Sequence, residues 1–483
     1  MIPCTLAEIA GVTGGSLSSP EAAGVTVTGA VVTDSREAEP GSLYVARIGE
    51  HADGHVYTGS AASNGAVAAL VTAPVSEVPH VLVDDVQEAF SALATHLIDT
   101  AVERTGLTVV GVTGSSGKTT TKDLIAHVLT GLAPTVANVG SLNSEVGVPL
   151  TVCRLTPETR HLVLEMGARG IGHVHYLTEM THPKVGVVLN VGSAHLGEFG
   201  SQEAIARAKG ELVEALPPGG LAVLNADDAL VAAMPVPEGV DLLRFGMAAD
   251  ADVRATNVQV KADGAPSFDL WFRGESITVE LRLMGEYQVA NALAAASVAL
   301  WLGADLATVG LELSTATPAS RYRMERHERD DGVTVINDAY NANPESMRGA
   351  VRTLAHMGQA GRRTWAVLGQ MLELGPESAA EHRAIGALAR ELGVGAVVAV
   401  GEGPDIDALA EGAANSAKDQ GQHTSERLPL AATPAVYRSA SVGEAEDLLA
   451  RTLSEGDLVL VKSSHGAGLR VLGERLVEGA SHS

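Results

Sequence analysis

The feature that most constrains the fold of this chain lies at residues 108–121, which read TVVGVTGSSGKTTT. A β-branched run leads into a glycine-rich loop, and a helical pattern follows the loop. Five apolar residues of that pattern fall on one helical face: Leu124, Ile125, Val128, Leu129 and Leu132. The stretch therefore predicts a strand, a loop and a helix in that order.

A loop of this kind directs backbone N–H groups at a phosphate, and the helix N-terminus adds partial positive charge. Lys118 supplies a full charge for the β- and γ-phosphates, and the Thr119 hydroxyl can bind Mg²⁺. The other residues of the predicted phosphate loop are Gly114, Ser115, Ser116, Gly117 and Thr120. The pattern predicts a nucleoside triphosphate site. The usual motif has a glycine where this chain has Val112, and the alternative is a plain helix N-terminus.

Composition limits the class of protein. The chain has 483 residues, of which 46% are hydrophobic and 3% aromatic. That length predicts about two to four domains, and small apolar residues suit helices packed on sheets. Lys and Arg number 33 against 58 Asp and Glu, a formal charge of −25, which argues against nucleic-acid binding.

The cysteine count and the hydropathy pattern predict the compartment. Two cysteines, Cys4 and Cys153, cannot build a disulfide framework or a thiolate zinc site. The first residues lack a basic segment followed by a long apolar run, so we expect no signal peptide. No segment has the length of a membrane span. These features predict a cytoplasmic protein.

Strand and helix patterns predict three α/β domains, at residues 1–86, 87–315 and 316–483. In the first, residues 25–32 and 43–46 are predicted strands. A helix is predicted over residues 88–104, leading into the phosphate-loop strand.

The second and third domains repeat apolar strands separated by helices, which predicts parallel sheets. Residues 252–283 instead alternate with period two, which predicts an antiparallel appendage to the second domain. In the third domain, residues 411–427 are polar and contain glycine, so we expect an exposed loop there.

Polar residues stand where the central strands end. Glu165 follows the apolar run 162–164, and both Asn190 and His195 follow the run 185–189. Because the carboxyl ends of parallel strands meet at one edge of a sheet, Glu165 and His195 should converge on the triphosphate. A carboxylate suits Mg²⁺, and an imidazole can complete a second metal site. The alternative for His195 is an ordinary loop histidine.

Two further features have competing interpretations. Lys209 lies on a predicted helix, where spacing alone favours a solvated surface lysine. Residues 337–344 read NDAYNANP, and five of these eight have side chains that can hydrogen-bond. They form either a turn with a helix cap or a loop that faces a ribose or a phosphate.

These motifs carry a resemblance to a known family. The chain resembles the Mur ligases, which build the peptide stem of peptidoglycan. The resemblance runs over nearly the whole chain, at Asp34-Ser35-Arg36, Asp53-Gly54-His55, residues 113–120, residues 147–151, Glu165-Met166-Gly167, residues 194–200, residues 208–211, residues 225–228, residues 291–295, Arg323-Met324, residues 338–344 and residues 368–375.

The resemblance implies a fold and an activity. The fold would be a central P-loop parallel-sheet ATPase domain between a small N-terminal α/β domain and a C-terminal Rossmann-like α/β domain. The activity would be ATP-dependent amide synthesis, with two Mg²⁺ ions. Residues 338–344 resemble those of the member that joins D-alanyl-D-alanine to UDP-N-acetylmuramoyl-tripeptide, so these are the implied substrates. We expect a monomer.

The resemblance also implies roles for individual residues. Glu165 would bind the ATP-linked Mg²⁺, His195 would help to bind the second ion, and Lys209 would be carbamylated and act as an anionic ligand. Arg323 would reach the γ-phosphate. The other implied contacts are adenine for Asn291, ribose for Asp338, the uridine diphosphate for Ser35 and Arg36, and the remaining substrate groups for Asn143, Asn341 and Asn343.

The chain departs from the family pattern at three places. Ser141-Leu142-Asn143-Ser144 stands where Asn-Leu-Asn-Asn is usual, Tyr287-Gln288 replaces His-Asn or His-Gln, and Lys462-Ser463-Ser464-His465 replaces Lys-Gly-Ser-Arg. No role is carried over to Ser141, Ser144 or His465 for that reason.

Other functions remain open from the sequence. Another Mur ligase or a folylpolyglutamate synthetase would share the phosphate loop, but the synthetase lacks the 338–344 loop and the extra N-terminal domain. A nucleotide-switch regulator is an alternative from a different class. Against it, the chain has no Asp-x-x-Gly after the phosphate loop and no Asn-Lys-x-Asp motif.

Overall fold

A computed structural model describes residues 1–49, 52–192, 196–414 and 434–478 of the chain. The predicted α/β class is confirmed, because three main sheets follow one another along the chain with helices packed on them. We name the parts that contain these sheets the N-terminal, central and C-terminal units.

The N-terminal unit is built on a small mixed sheet. Its strands are Cys4–Thr5 (β1), Ser16–Leu17 (β2), Thr26–Val27 (β3), Val31–Val32 (β4), Ser42–Val45 (β5), Ala66–Val71 (β6) and His80–Leu82 (β7). Its helices are Leu6–Thr13 (α1) and Thr58–Ser63 (α2), and Val86–Thr105 (α3) leads into the central unit. The sheet order is β2-β7-β6-β5-β4, and β1 pairs with β3 separately.

The central unit holds the largest sheet among the described residues. Its strands are Thr108–Thr113 (β8), Thr135–Ala137 (β9), His161–Glu165 (β10), Val185–Val188 (β11), Leu221–Asn225 (β12), Asp241–Gly246 (β13), Val253–Val260 (β14), Pro266–Phe272 (β15) and Glu275–Glu280 (β16). Its helices are Lys118–Thr130 (α4), Gly147–Val152 (α5), His173–Thr181 (α6), Leu196–Phe199 (α7), Gln202–Glu214 (α8), Ala229–Ala232 (α9), Gln288–Trp301 (α10) and Leu306–Thr315 (α11).

The order of this sheet, β16-β15-β14-β13-β12-β11-β8-β10-β9, places β8 between β11 and β10. Strands β8 to β14 pair in parallel, whereas β15 and β16 are antiparallel, as the period-two pattern predicts. The antiparallel strands continue the main sheet instead of forming a separate one. Helices α4, α10 and α11 cover one face and share its apolar core.

The C-terminal unit is a second parallel sheet. Its strands are Glu325–Glu328 (β17), Thr334–Asn337 (β18), Thr364–Leu368 (β19), Ala396–Val400 (β20), Ala435–Ser439 (β21) and Leu458–Lys462 (β22). Its helices are Pro344–Gly358 (α12), Ser378–Glu391 (α13), Pro404–Ala414 (α14), Val442–Thr452 (α15) and Leu469–Glu478 (α16). The order is β17-β18-β22-β19-β20-β21, and only the β17 pairing is antiparallel within the described residues.

Two local predictions are wrong. The strand predicted over residues 25–32 is split into β3 and β4, because the chain passes close to another backbone at Gly29, where a Cβ would lie 2.7 Å from the Gly41 carbonyl carbon. Of the predicted loop at 411–427, residues 411–414 belong instead to α14, where Gly412 and Ala413 are buried. The rest of that loop lies outside the described residues.

Among the described residues, no helix is both long and apolar enough to cross a membrane.

An apolar core joins the N-terminal unit to the central one, because side chains of α1 and α3 pack with those of β8 and β10. Helix α3 therefore anchors the first sheet to the second.

Candidate active site

The phosphate loop begins where β8 ends and continues into α4. Gly114 and Gly117 have φ of +159° and +81°, and only the second lies well inside the region that favours glycine. A Cβ at Gly117 would also lie 2.6 Å from Asn291 Oδ1. Glycine is therefore required at residue 117 both by backbone conformation and by close approach to α10.

The register of the sheet brings polar strand ends to this loop. Glu165 pairs with Val112 and Val188 pairs with Thr113, so β10 and β11 end on either side of it. Asn190, just after β11, accepts hydrogen bonds through Oδ1 from Ser115 N at 3.0 Å and Ser116 N at 2.9 Å. Its side chain therefore holds the loop at the carboxyl edge of the sheet.

The cationic group of the loop, the Lys118 ammonium, has a defined partner. Lys118 Nζ donates to the Gly114 carbonyl oxygen at 2.8 Å, which curls the side chain over the loop. Burial lowers the pKa of Lys118, and the Arg323 charge acts in the same direction against the opposing effect of Glu165. A nearby anion would stabilise this cation, because it would offset both the loss of hydration on burial and the repulsion from Arg323.

Thr119 and Glu165 form a buried pair of oxygen groups. The Thr119 hydroxyl donates to Glu165 Oε2 at 2.8 Å, and Asn143 Nδ2 donates to Glu165 Oε1 at 2.6 Å. Glu165 is 1% exposed, so these bonds compensate a carboxylate removed from water. Arg323 Nη2 donates to the Thr119 oxygen at 2.9 Å from the linker between α11 and β17.

Asn291 lies on α10 behind the loop. Its Oδ1 accepts from the Thr121 hydroxyl at 3.1 Å, and its Nδ2 donates to Gln288 Oε1 at 2.7 Å. Tyr287, one residue before α10, packs against Gly349 of α12, where a Cβ would lie 2.9 Å from the tyrosine ring. The central and C-terminal units therefore touch at Tyr287.

The C-terminal unit contributes Asp338 and Lys462 through adjacent strand ends. Asp338 follows β18 and Lys462 ends β22, and these strands are neighbours. Lys462 Nζ donates to Asp338 Oδ2 at 2.5 Å and to the Asn341 carbonyl oxygen at 3.0 Å. Burial lowers the pKa of Lys462, and Asp338 opposes that shift. The other carboxylate oxygen, Oδ1, accepts from Met324 N at 3.0 Å, and its second lone pair can still accept from a hydroxyl.

Asn343 is a helix cap and an inter-unit contact at once. Its Oδ1 accepts from Ser346 N at 2.9 Å at the start of α12, which is the turn-and-cap interpretation. Its Nδ2 donates to the Ser115 carbonyl oxygen at 3.3 Å. The two interpretations of the 337–344 stretch are therefore not exclusive, because the cap also reaches the phosphate loop.

These residues enclose a cavity of about 300 Å³ between the two units. Its lining includes residues 115–120, Glu165, Asn190, Asn225, Phe245, Tyr287, Gln288, Asn291, Arg323, Asp338, Asn341, Asn343 and Lys462. Of the predicted nucleotide-site residues, Gly114 does not line this cavity. It lines the neighbouring one.

Lys209 faces a second cavity, of about 790 Å³, which it shares with Gly114, Lys118 and Asn143. The interpretation of Lys209 as a solvated surface lysine is wrong, because its position on α8 leaves it 5% exposed. Burial, with the nearby Lys118 charge, lowers the pKa of Lys209 to about 7. The neutral amine is therefore accessible near neutral pH.

Two predicted residues, Ser35 and Arg36, stand apart from these cavities. Ser35 and Arg36 follow β4 in the N-terminal unit, where Arg36 donates to Asp34 at 2.5 Å and holds the pKa of that carboxyl at about 2. Neither lines a cavity with the phosphate loop. His195 lies outside the described residues.

The cavity also contains two residues, Asn190 and Lys462, for which the sequence predicts no role in binding. Asn190 and Lys462 both stand at the ends of parallel strands, the same signal that identified Glu165. Tyr340 does not line the cavity but packs against Arg323, which does; a tyrosine ring between polar neighbours gives no distinctive sequence pattern.

A phosphate loop at the carboxyl edge of a parallel sheet, closed by a second α/β unit with its own basic groups, defines a nucleotide-binding enzyme of the ligase or kinase type. Comparison with known proteins is specific. Residues 112–299 match the model of the Mur ligase middle domain, and residues 322–465 match that of the Mur ligase, glutamate ligase domain. The chain belongs to the Mur ligase family.

Relatives align over nearly their whole length. A UDP-N-acetylmuramoyl-tripeptide–D-alanyl-D-alanine ligase of Mycobacterium tuberculosis is 44% identical over 99% of this chain and 98% of that protein. The Escherichia coli enzyme of the same name is 36% identical, over 89% and 91%. The crystal structure of MurF from Acinetobacter baumannii superposes with a TM-score of 0.84 at 30% identity and covers 99% of each chain. MurF ligase from Thermotoga maritima in complex with ADP gives 0.78 at 26% identity, covering 94% of this chain and 98% of that one.

Proposed function

We propose that this chain is an ATP-dependent ligase that adds D-alanyl-D-alanine to UDP-N-acetylmuramoyl-tripeptide in the synthesis of peptidoglycan precursors. The observation that carries the proposal is the single cavity in which Lys118, Arg323 and the Thr119–Glu165 pair meet. The full-length relatives named for this activity support the choice of substrates.

The first chemical step is phosphoryl transfer to a carboxylate. The terminal carboxylate of the tripeptide attacks the γ-phosphorus of ATP, a P–O bond forms, and the bond to ADP breaks. Two anions must approach each other, so charge neutralisation is the main requirement. Lys118 and Arg323 supply positive charge from the loop and from the linker, and both line the same cavity.

The oxygen groups near the loop suit Mg²⁺. Thr119 and Glu165 are 2.8 Å apart and next to Lys118, and hard oxygen ligands are what this ion takes. Among the described residues, no three His, Cys, Asp or Glu side chains are grouped to hold a metal alone, so phosphate oxygens and water would complete the coordination. Bound Mg²⁺ would neutralise phosphate charge. We assign His195 and Lys209 to a second ion.

The second step consumes the acyl phosphate. The neutral amine of D-alanyl-D-alanine attacks the acyl carbon, an amide bond forms, inorganic phosphate leaves, and the amine loses a proton. Water would hydrolyse the intermediate, so the site must close around it. The contacts of Asn343 with Ser115 and of Tyr287 with the Gly349 region support such closure of the C-terminal unit.

We also propose that Lys209 acts as a carbamate. Its neutral amine would add to CO₂ with loss of one proton, giving a carboxylate-like group suited to a hard cation. The pKa of about 7 supports this, because the amine reacts only when it is unprotonated. An ammonium at that place would repel metal ions.

The substrates are assigned to the units as follows. Residues 1–86 would hold the UDP part near Ser35 and Arg36. Residues 87–315 would bind ATP, with Asn291 toward adenine, and Asp338 of the third domain would lie toward ribose. Residues 316–483 would complete the ligase site. The 790 Å³ cavity beside Lys118 and Asn143 has room for the peptide of the acyl substrate. Asn341 and Asn343 would contact substrate from the closing unit. The use of ATP and a UDP-linked substrate fits a cytoplasmic enzyme.

The test is a phosphate-release assay with purified UDP-tripeptide, ATP and Mg²⁺, followed by mass spectrometry of the product. We expect release that depends on D-alanyl-D-alanine and a product heavier by that dipeptide less one water. Equal release with no amine substrate, or a different preferred amine, would contradict the proposal.

A further inference from the structure

Arg323 approaches the phosphate loop with few bonds of its own. Its Nη2 reaches Thr119, but its Nε atom is buried and has no hydrogen-bond partner among the described residues. One hydrogen bond at the tip of a long side chain does not by itself fix its rotamers, and ordering them costs conformational entropy. Some other contact must therefore define its direction.

The ring of Tyr340 supplies that contact. The Arg323 guanidinium carbon lies 4.3 Å from the centre of the ring, within the range of a cation–π interaction. Tyr340 N also donates to the Tyr322 carbonyl oxygen at 3.2 Å, which joins the backbone of Tyr340 to that of the residue before Arg323. Two contacts therefore hold Tyr340 beside Arg323, one through the ring and one through the backbone.

Tyr340 is also tied to the central unit. Its hydroxyl hydrogen-bonds that of Ser141, which is in the loop after β9, at one of the places where this chain departs from the family pattern. Asn143 in the same loop donates to Glu165, and Glu165 accepts from Thr119. The contacts therefore form a closed circuit from Ser141 through Tyr340, Arg323, Thr119 and Glu165 back to that loop.

We propose that Tyr340 is a positioning residue that holds Arg323 toward the γ-phosphate once the C-terminal unit has closed, and that Ser141 is its anchor on the central unit. The inference rests on the proposed function, because it takes the γ-phosphate as the target of Arg323. The hydroxyl pair forms only when the two units meet, so it links closure to the direction of the guanidinium.

The chain offers a matched control in the adjoining residues. Arg321 lies over the ring of Tyr322 at 4.8 Å, and the Tyr322 hydroxyl donates to Glu474 at 2.5 Å. This pair repeats the arginine-over-tyrosine contact and the bonded hydroxyl, but it does not line the nucleotide cavity. Variants of Tyr322 therefore measure the general cost of losing such a ring.

The test compares Mg²⁺-dependent binding of ADP and of the non-hydrolysable analogue AMP-PNP by calorimetry, because only the second has a γ-phosphate. Tyr340→Leu should weaken AMP-PNP binding about tenfold and leave ADP binding unchanged, as loss of a desolvated cation–π contact and a charge-assisted bond implies. Tyr322→Leu should change neither. A purely structural role would weaken both nucleotides together, and that result would overturn the proposal.

Steady-state kinetics tests the hydroxyl. Tyr340→Phe and Ser141→Ala should each lower kcat about threefold, and the double variant should lose no more than either single one, because both remove the same bond. Additive losses would overturn the link between the two units.

Arg323→Ala separates this proposal from the proposed function. It should abolish the difference between the two nucleotides, and Tyr340→Leu should then add nothing to it. If Arg323→Ala collapses the difference and Tyr340→Leu preserves it, the role of Tyr340 is overturned and that of Arg323 stands. If Arg323→Ala leaves AMP-PNP binding and ligation normal, the phosphate role of Arg323 fails, and the positioning role fails with it.

Discussion

Asn343 donates a hydrogen bond from Nδ2 to the carbonyl oxygen of Ser115, 3.3 Å away and 228 positions earlier in the chain. The bond joins the cap of a C-terminal helix to the phosphate loop of the central sheet. Because the nucleotide cavity lies between these two residues' units, its shape depends on how closely the units approach. The chemistry proposed here therefore requires both the loop and the closed arrangement.

Lys118→Ala should lower turnover by about 10³-fold or more, because a charge-assisted contact to the transferring phosphate is lost. Circular dichroism should show an unchanged fold, since the lysine bonds only to Gly114 among the described residues. Lys261→Ala, which removes an exposed lysine paired with Glu280, is the control. Near-normal ligation by the Lys118 variant would contradict the phosphate-loop assignment.

Glu165→Gln should raise the Mg²⁺ concentration for half-maximal activity by about tenfold, because a carboxylate ligand becomes a neutral amide of the same shape. A Mg²⁺ titration of initial rates measures this. Glu280→Gln, an exposed carboxylate outside the cavity, should not move the midpoint. An unshifted midpoint in the Glu165 variant would exclude it as a metal ligand.

The carbamate at Lys209 predicts a dependence on bicarbonate and pH. The amine is protonated below its pKa of about 7 and neutral above it, so bicarbonate should stimulate ligation increasingly as the pH rises from 6 to 8. Lys209→Ala should be nearly inactive and insensitive to bicarbonate, and formate or acetate should partly restore it. Full activity in CO₂-free buffer, with no rescue of the variant, would count against the carbamate.

The same pKa predicts a stability effect with a defined sign. Between about pH 7 and the ordinary lysine value of 10.5, the unfolded chain binds more protons at this position than the folded one. The free energy of unfolding should therefore rise with pH in that window, relative to Lys209→Met, which has no such group. Denaturant unfolding of both proteins at pH 7 and pH 9, without CO₂, measures the difference. A constant difference would show that folding does not lower the pKa of Lys209.

Gly349→Ala tests the contact between units at Tyr287. The added methyl would lie 2.9 Å from the ring, so the two units should not close fully. We expect kcat to fall several-fold, because a misplacement of the reacting groups by about 1 Å or less already slows catalysis. Gly443→Ala, on a helix with nothing closer than 4.0 Å, should leave kcat unchanged. Equal kinetics in both variants would mean that this contact does not limit closure.

The sequence predicts those parts of the site that follow from local rules. The strand, loop and helix around Lys118 and the strand-end position of Glu165 need only hydrophobic patterning and the geometry of a parallel sheet. The split of the first predicted strand at Gly29 was missed because it depends on the approach of the Gly41 backbone, which no local pattern records.

Burial and long-range contacts could not be predicted in this way. Helical spacing identifies the face of α8 on which Lys209 lies but not what covers that face, and the cavity that Lys209 lines is shared with Gly114, Lys118 and Asn143, which are distant in sequence. The bond between Ser141 and Tyr340 joins positions 199 residues apart. Such pairs are set by the assembly of the units, so only the structure reveals them.

The most direct test of the account is competition between amine substrates. In a mixture of D-alanyl-D-alanine, D-alanine, L-lysine and glutamate with UDP-tripeptide, ATP and Mg²⁺, we expect the dipeptide to be joined about 10²-fold or more in preference, because single amino acids leave buried polar groups unpaired. Each ligation should release one ADP and one phosphate. Preference for a single amino acid would assign the chain to a different ligation, and phosphate release without any amine would contradict the account.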